Sequence, residues 1–269
     1  MSETHAHFTG SIPEIYDRHL GPVIFSPYAI DLARRLAPLA NGPVLETACG
    51  TGILTQQLCT QLPATAPLTA TDLNPPMIDY ARAKLSDAGR VTWQQADAAA
   101  LPFAAATFAA VACQFGVMFV PDKPAFFREA RRVLQEGGVF AFNVWDSLAQ
   151  NPFARLAHET ISGFFPVNPP PFFQIPFGFH DADVLRNFLT ANGFDHVEIE
   201  RVSRETVSPS AESFATGLVR GTPVSNAIQE RGASFEDIVA AVAAALTREG
   251  GAQPFRSTMR AVVVTARAK

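Results

Sequence analysis

The chain has 269 residues, of which 48% are apolar, 17% charged and 10% aromatic, and its formal net charge is −4. This composition is that of an ordinary globular protein, and it excludes disordered, collagen-like and coiled-coil chains. Because no block of Lys and Arg is present, the chain lacks the electrostatic footprint of a nucleic-acid-binding protein, and we expect no nucleic-acid partner. Phenylalanine is over-represented, with 22 Phe against 3 Tyr and 2 Trp.

The three cysteines, Cys49, Cys59 and Cys113, have neither a disulfide-like nor a metal-site spacing. We therefore expect reduced thiols, a cytoplasmic location and no bound metal. The first ten residues lack the cationic and apolar parts of a signal peptide. Residues 98–121 carry no charge and could in principle span a bilayer, but their prolines and polar residues predict a loop and a buried strand instead.

From residue 42 onward, short apolar or β-branched runs alternate with helix-like stretches, a pattern typical of βαβ units on a parallel sheet. The predicted strands are residues 43–47, 68–71, 91–94, 108–113, 139–145, 196–202 and 259–266. Helices are predicted after the first strand to about residue 61, over 75–87 and 123–135, between Asp181 and Gly193, and within 210–251.

These elements predict one α/β domain over residues 1–269, with a Rossmann-like, doubly wound sheet of seven strands that is mostly parallel and has an antiparallel last strand. We expect an N-terminal segment in residues 1–41 and a ligand-binding core in 42–147. Residues 148–180 are rich in Phe and Pro and predict a cover over the site, since prolines break both helices and ladders. Residues 181–269 then hold the last strands, with a helical insertion at 210–251.

The first strand leads into Gly50-x-Gly52 and a helix. Glycines at such a turn let the backbone approach a ligand closely, and the helix N-terminus favours polar or anionic groups. Glu46 ends the first strand, Asp72 ends the second, where it can accept from two ribose hydroxyls, and Asp97 follows the third, where it can meet an adenine amino group. A dinucleotide fingerprint would want a third small residue where this chain has Thr55.

Five motifs in this order and spacing resemble those of class I S-adenosylmethionine-dependent methyltransferases, particularly the quinone-biosynthesis and small-molecule group. They are Glu46-x-x-x-Gly50-x-Gly52, Thr71-Asp72-Leu73-Asn74, Gln95-Ala96-Asp97-Ala98, Leu101-Pro102-Phe103 through Phe108, and residues 129–138. The resemblance covers residues 42–147, with a weaker signature at Gly193-Phe194. The chain departs from the family at Ala48, where the glycine-rich loop usually has Gly.

The resemblance implies S-adenosylmethionine as the cofactor. In this family the N-terminal segment often folds over the cofactor, so residues 1–41 would form lid helices and Tyr16 would contact the cofactor from this lid. Glu46, Ala48, Gly50 and Gly52 would contact the amino-acid part, Gln114 would lie near the methionyl group, and Asp72 would bind the ribose. The adenine would pack against Leu73 and Met77, and its edge would meet Asp97 and the Ala98 N–H. Simple packing is an equal alternative for Met77 and Gln114.

The methyl acceptor is expected over the carboxyl ends of the strands, with Phe115, Phe119 and Trp145 as pocket walls. Such walls suit an apolar or aromatic small molecule, although core packing or a homodimer interface would also explain these aromatic residues. No catalytic residue is identified. The candidates for a base or a positioning group are His19, His158, His180, Tyr16 and Tyr28.

Two other motifs are misplaced for the chemistry they suggest. Tyr80 and Lys84 have the Tyr-x-x-x-Lys spacing of short-chain dehydrogenases but lie on the helix after the second strand, so a solvated helix face is favoured. Asn74-Pro75-Pro76 resembles the amino-methyltransferase motif, but that motif belongs after the fourth strand. A nicotinamide-dependent oxidoreductase and a non-catalytic S-adenosylmethionine-binding regulatory module are the alternative functions.

Overall fold

A computed structural model describes residues 8, 10–87 and 89–269 of the chain. The strands are β1 (Val44–Glu46), β2 (Leu68–Asp72), β3 (Val91–Gln95), β4 (Phe108–Gln114), β5 (Leu134–Trp145), β6 (Phe194–Ser208) and β7 (Phe255–Ala268). The helices are α1 (Ile12–His19), α2 (Ser26–Leu36), α3 (Ile53–Gln61), α4 (Pro75–Lys84), α5 (Lys123–Val133), α6 (Pro152–Gly163), α7 (Ala182–Ala191), α8 (Ala211–Arg220), α9 (Val224–Glu230) and α10 (Phe235–Gly250).

The seven strands form one sheet in the order β3-β2-β1-β4-β5-β7-β6. Strands β1 to β5 pair in parallel, and β7 runs antiparallel to both β5 and β6. The order reverses between β1 and β4, so the carboxyl ends of these two strands mark the switch point at which open α/β sheets bind ligands. The predicted fold class is confirmed.

The structure corrects several predicted bounds: α4 ends at Lys84 instead of residue 87, the junction of α5 and β5 moves, and β5, β6 and β7 are longer than predicted. Helix α5 ends at Val133, not near residue 135, and β5 begins at once with the buried Leu134, which pairs with Phe108. The glycine pair at 137 and 138, which the sequence indicated as a helix stop, lies inside β5, where Gly137 has a φ of +70°. Strands β6 and β7 extend well beyond the predicted ranges because they pair with each other from Phe194 to Ser208.

The predicted helix starts are explained by side-chain caps. Asp122, Asp181, Ser210 and Ser234 each accept a hydrogen bond from a backbone N–H of the first helical turn that would otherwise be unpaired. Asp181 was expected in this role. Helices α4 and α6 also begin with proline, whose missing N–H costs nothing at the first position, and α5 has a proline at its second position.

The remaining segments lie around the carboxyl edge of the sheet. At the N-terminus, α1 is followed by one π-helical turn, Gly21–Phe25, and then by α2. The Phe/Pro-rich stretch forms α6 and then an irregular, proline-rich run with a short 3₁₀ turn. Most phenylalanines of this stretch are buried. Within the described part of the chain, no helix has the length and hydropathy needed to cross a membrane.

Candidate cofactor and acceptor site

The loop between β1 and α3 contains three residues in the left-handed backbone conformation. Ala48, Gly50 and Gly52 have φ values of +52°, +54° and +76°. A Cβ on Gly50 would meet no other atom within 4 Å, whereas one on Gly52 would press against Leu85 and Ala81. Gly52 is therefore needed for packing, and Gly50 leaves the backbone open to a ligand. Ala48 adopts the glycine-like conformation at a cost of about 1–2 kcal/mol.

Glu46 ends β1 and is almost fully buried, at 1% exposure. Its Oε2 accepts a hydrogen bond of 2.6 Å from Thr55 Oγ1, in the first turns of α3. Burial raises the pKa of Glu46 to about 8; the Thr55 hydrogen bond works against this shift, and the charge of Asp72 adds to it. The carboxyl is thus poised to ionise when a cation arrives beside it.

Asp72 ends β2 and fixes the loop from the neighbouring strand. Its Oδ2 accepts from the Gly50 N–H at 2.9 Å, and its Oδ1 accepts from the Asn74 N–H at 2.8 Å and from Asn74 Nδ2 at 3.2 Å. Burial raises the pKa of Asp72, and these hydrogen bonds oppose that shift. A carboxylate can accept roughly four hydrogen bonds, and these three leave about one position, on Oδ2. Two ribose hydroxyls could therefore both bind Asp72 only if one of them displaced the side-chain amide of Asn74.

The residues predicted at the adenine lie beyond β2 and β3, which pair from Leu68 to Asp72. Leu73 is 49% exposed, whereas Met77 is buried in the first turn of α4. Asp97 is exposed and its Oδ1 accepts from the Ala99 N–H at 2.8 Å, so it forms a tight turn around the half-buried Ala98. Leu73, Asp97 and Ala98 lie at the carboxyl edge formed by the neighbouring strands β2 and β3, and Met77 is buried at the start of α4.

Tyr16 of α1 lies over this edge. Its ring stacks on Phe25 at 4.6 Å and meets the edge of the Phe8 ring at 5.8 Å. Burial raises the pKa of Tyr16, with smaller contributions from the charges of Asp17 and Asp72. The N-terminal segment therefore covers the carboxyl end of β2.

Phe115 and Trp145, predicted as acceptor walls, follow β4 and end β5. Their rings stack at a centroid distance of 4.1 Å, and both are buried. Phe25 packs against both rings, and Phe177 of the Phe/Pro-rich stretch stacks on Trp145 at 5.7 Å. We call Phe25, Phe115, Trp145 and Phe177 the aromatic cluster. Phe119 lies apart from it, between Phe8 and Phe172.

Three buried polar atoms near the carboxyl ends of the strands have no hydrogen-bond partner among the described residues: Thr51 Oγ1, Gln114 Oε1 and Asn143 Nδ2. The amide nitrogen of Gln114 donates to the Phe25 carbonyl at 3.3 Å, which leaves its oxygen free. Thr51, Phe25 and Asn143 were not among the site residues predicted from the sequence. A single Asn within the apolar run of β5 was the available signal for Asn143.

The candidate bases are dispersed. His19 Nδ1 lies 2.9 Å from Ser213 Oγ on α8, His158 contacts Gln174, and His180 lies 3.7 Å from Asp146, which also binds Arg260. The hydroxyl of Tyr28 donates to the Val202 and Met259 carbonyls inside the core. For these four residues, no described contact joins the titrating atom of the side chain to the aromatic cluster.

Tyr80 and Lys84 are not merely a solvated helix face. Lys84 Nζ lies 2.6 Å from Asp17 Oδ1, and the Tyr80 hydroxyl lies 3.3 Å from Asp17 Oδ2. Because Asp17 belongs to α1, the two residues fasten the N-terminal segment to α4, beside the cofactor edge.

Comparison with known proteins identifies the core. Residues 44–138 match the model of a methyltransferase domain. The chain is 35% identical over 168 residues to the ubiquinone/menaquinone biosynthesis C-methyltransferase UbiE of Geobacter sp. (strain M21), which covers 58% of this chain and 72% of that protein. It is 40% identical over 98 residues to UbiE of Idiomarina loihiensis, which covers 35% of this chain and only 39% of that relative.

Solved structures share the fold at low sequence identity. The YcgJ protein of Bacillus subtilis superposes with a TM-score of 0.60 at 17% identity, covering 90% of this chain and 99% of that one. Phosphoethanolamine N-methyltransferase 2 of Haemonchus contortus, solved with S-adenosyl-L-methionine, gives 0.59 at 14% identity, covering 95% and 56%.

The residues present fit this cofactor. The backbone at Gly50 is open on the side where a Cβ would point, Thr51 Oγ1 and Gln114 Oε1 are unpartnered among the described residues, and one acceptor position remains on Asp72, so the loop can hold a polar ligand of this kind. S-adenosylmethionine is accordingly the cofactor of this enzyme. The chain belongs to the class I S-adenosylmethionine-dependent methyltransferases and resembles those of quinone biosynthesis.

Proposed function

We propose that the chain methylates an apolar or aromatic small molecule that binds against the aromatic cluster. The observation that carries this proposal is the position of the cluster: Phe115 and Trp145 extend from the carboxyl ends of β4 and β5, next to the strand that carries the glycine loop. Flat, apolar side chains at this edge favour a flat, apolar acceptor.

When bound, the cofactor supplies a methyl group on a sulfonium, a carbon already activated for in-line displacement. Transfer to the acceptor would exchange the carbon–sulfur bond for a bond to the acceptor atom, which would release a proton to solvent. The protein's part is to align the two molecules and to exclude water. Tyr16, Phe25 and Phe115, whose rings pack in sequence on one another, would help to exclude water.

The site residues belong to this proposal. Glu46, Ala48, Gly50, Gly52 and Gln114 would surround the amino-acid part of the cofactor, Asp72 its ribose, and Leu73, Met77, Asp97 and Ala98 its adenine. The use of residues 1–41 as a lid and 148–180 as a cover, within one domain of residues 1–269, is likewise proposed. The relatives named for quinone biosynthesis support an aromatic acceptor that is methylated on carbon.

The test combines binding with turnover. Calorimetry should show binding of S-adenosylmethionine, and a methyl-transfer screen over phenols, quinols, amines and carboxylic acids should find activity with apolar aromatic members. Activity restricted to small charged amines would contradict the proposed acceptor class. Cofactor binding without transfer to any of these acceptors would instead support the non-catalytic module.

A further inference from the structure

Asn143 is a polar residue within a fully buried, apolar strand. The carboxyl half of β5 reads Val-Phe-Ala-Phe-Asn-Val-Trp over residues 139–145, and Asn143 itself has no exposed surface. A buried N–H that lacks an acceptor costs about 1–3 kcal/mol. Asn143 Nδ2 has no partner among the described residues, and a bound ligand that accepts its hydrogen bond would explain why this polar atom is buried.

The orientation of this amide is fixed by the chain around it. Asn143 Oδ1 accepts from the Phe115 N–H at 3.0 Å, so the oxygen is committed to the backbone and the nitrogen is left free to donate. The Phe115 N–H also donates to the backbone carbonyl of Asn143 at 3.1 Å, so the left-handed Phe115, with a φ of +50°, is held by the strand as well as by the amide. Removing the side chain therefore leaves one of the two bonds that hold Phe115, whose ring stacks on Trp145.

Its place in the sheet puts it beside the methyl-bearing end of the cofactor. Asn143 and Gln114 are register partners on the parallel strands β5 and β4, so their side chains project to the same face. Gln114 is the residue proposed to lie near the methionyl group, and its amide nitrogen binds Phe25 of the aromatic cluster. Asn143 lies on β5, the next strand of the sheet after β4, two residues before Trp145. The proposed acceptor would bind on this side of Gln114.

We propose that Asn143 Nδ2 donates a hydrogen bond to an oxygen of the methyl acceptor, and that this oxygen is a phenolic hydroxyl or its phenolate. The proposal rests on the proposed function. The Nδ2 donor pairs with an oxygen of the substrate, and on the flat, apolar acceptor proposed above a phenolic oxygen is the group that fits it. A hydrogen bond to this oxygen becomes stronger as the oxygen ionises, so a neutral donor favours the phenolate inside an apolar site.

This role makes Asn143 a positioning residue for a nucleophile that is either the phenolic oxygen or a ring carbon activated by it. On oxygen, the methyl group would replace the phenolic proton. On carbon, it would replace a ring hydrogen, which leaves as a proton, and the ionised oxygen would regain its own proton. In both cases one proton is released to solvent for each methyl group transferred. The side chain itself forms no covalent bond.

The test measures binding and ionisation of 4-nitrophenol, whose phenolate is coloured, to the full-length protein saturated with S-adenosylhomocysteine. Nitrobenzene, which lacks the hydroxyl, is the matched ligand. Asn143→Leu removes both amide atoms, and Asn143→Asp keeps an acceptor for the Phe115 N–H but removes the donor. Thr206→Val is the control variant, because Thr206 Oγ1 on β6 is also buried without a described partner.

We expect both Asn143 variants to bind 4-nitrophenol about tenfold to a hundredfold more weakly than the original protein. The pKa of the bound phenol should be higher in Asn143→Leu, while nitrobenzene and S-adenosylhomocysteine bind as before. Thr206→Val should match the original protein in every measurement.

Three results would overturn the proposal: equal 4-nitrophenol affinity in the original protein and Asn143→Leu, a parallel loss of nitrobenzene binding in both Asn143 variants, or a loss of S-adenosylhomocysteine binding in them. The first result would mean that a water molecule, not the phenol, binds Asn143 Nδ2. The second would mean that the substitutions disrupt the aromatic cluster, and the third that Asn143 contacts the cofactor. Because no turnover is needed, failure of the proposed function shows separately, as an absence of methyl transfer.

Discussion

Ala48 and Gly116 fit against each other across the site, with the methyl group of Ala48 occupying the space that a side chain on Gly116 would need. Ala48 stands in the glycine-rich loop after β1, and Gly116 follows the left-handed Phe115 after β4. The same hypothetical side chain would also press on Cys113 Sγ, at 2.8 Å. The loop that approaches the cofactor is thus packed directly on the turn that carries the aromatic cluster.

Gly116→Ala should therefore destabilise the protein by about 1–3 kcal/mol, as overpacking does in a close-packed interior. It should also weaken cofactor binding, because the glycine loop must move. Urea unfolding and calorimetry with S-adenosylhomocysteine measure the two effects.

The matched variant is Ala48→Gly, which removes the colliding methyl group and restores a residue that tolerates positive φ. In the double variant, part of the Gly116→Ala loss should return, with a coupling energy of about 0.5–3 kcal/mol. Additive effects of the two substitutions would contradict direct packing between these positions.

Asp72→Ala should weaken cofactor binding by about tenfold to a hundredfold, the value of a hydrogen bond to a charged group. The carboxylate holds the Gly50 N–H at 2.9 Å and is the proposed ribose acceptor. Calorimetry with S-adenosylmethionine provides the measurement. Asp79→Ala, on the exposed side of α4, is the control and should bind normally. An unchanged affinity in Asp72→Ala would refute the ribose assignment.

Glu46 should make stability depend on pH. Its pKa lies near 4.5 in the unfolded chain and is raised to about 8 by burial in the folded protein. The unfolded state therefore loses the proton first, and the free energy of unfolding should fall as pH rises from about 4.5 to about 8. The contribution of this one group is on the order of 4 kcal/mol.

The comparison variant is Glu46→Gln, which stays neutral and should flatten this decline in urea unfolding between about pH 5 and about pH 8. Glu136→Gln, at an exposed position, should leave the pH profile as it is. Parallel profiles for the original protein and Glu46→Gln would show that Glu46 ionises normally.

Lys84→Met should loosen the N-terminal segment, because the pair of Lys84 with Asp17 is partly buried and joins α1 to α4. Dissociation of S-adenosylhomocysteine should become about two- to fivefold faster at low salt, in line with the strength of such a pair. Stopped-flow displacement measures the rate. Arg82→Met, at a more exposed position of α4, is the control; equal rates in the two variants would exclude a role of the pair in retaining the cofactor.

Much of the fold was readable from the sequence because it rests on local patterns. The mainly apolar runs at residues 44–46 and 108–114 and the helix cap at Asp181 predicted strands and a helix that the structure confirms in outline. The order of glycine and acidic residues predicted the cofactor edge, which stays a prediction. The glycine-like conformation at Ala48 was foreshadowed only by its departure from the family pattern.

The sequence by itself determined the fold class and the cofactor family, because alternation of strands and helices and the spacing of loop glycines are properties of neighbouring residues. Tertiary structure alone decided that α5 gives way to β5 at Leu134, since pairing with Phe108 outweighs the local glycine stop. It also decided which polar atoms are left without partners. Asn143 and Gln114 are 29 positions apart and become neighbours only when β4 and β5 pair, so no local pattern could show that both would bind residues of the aromatic cluster.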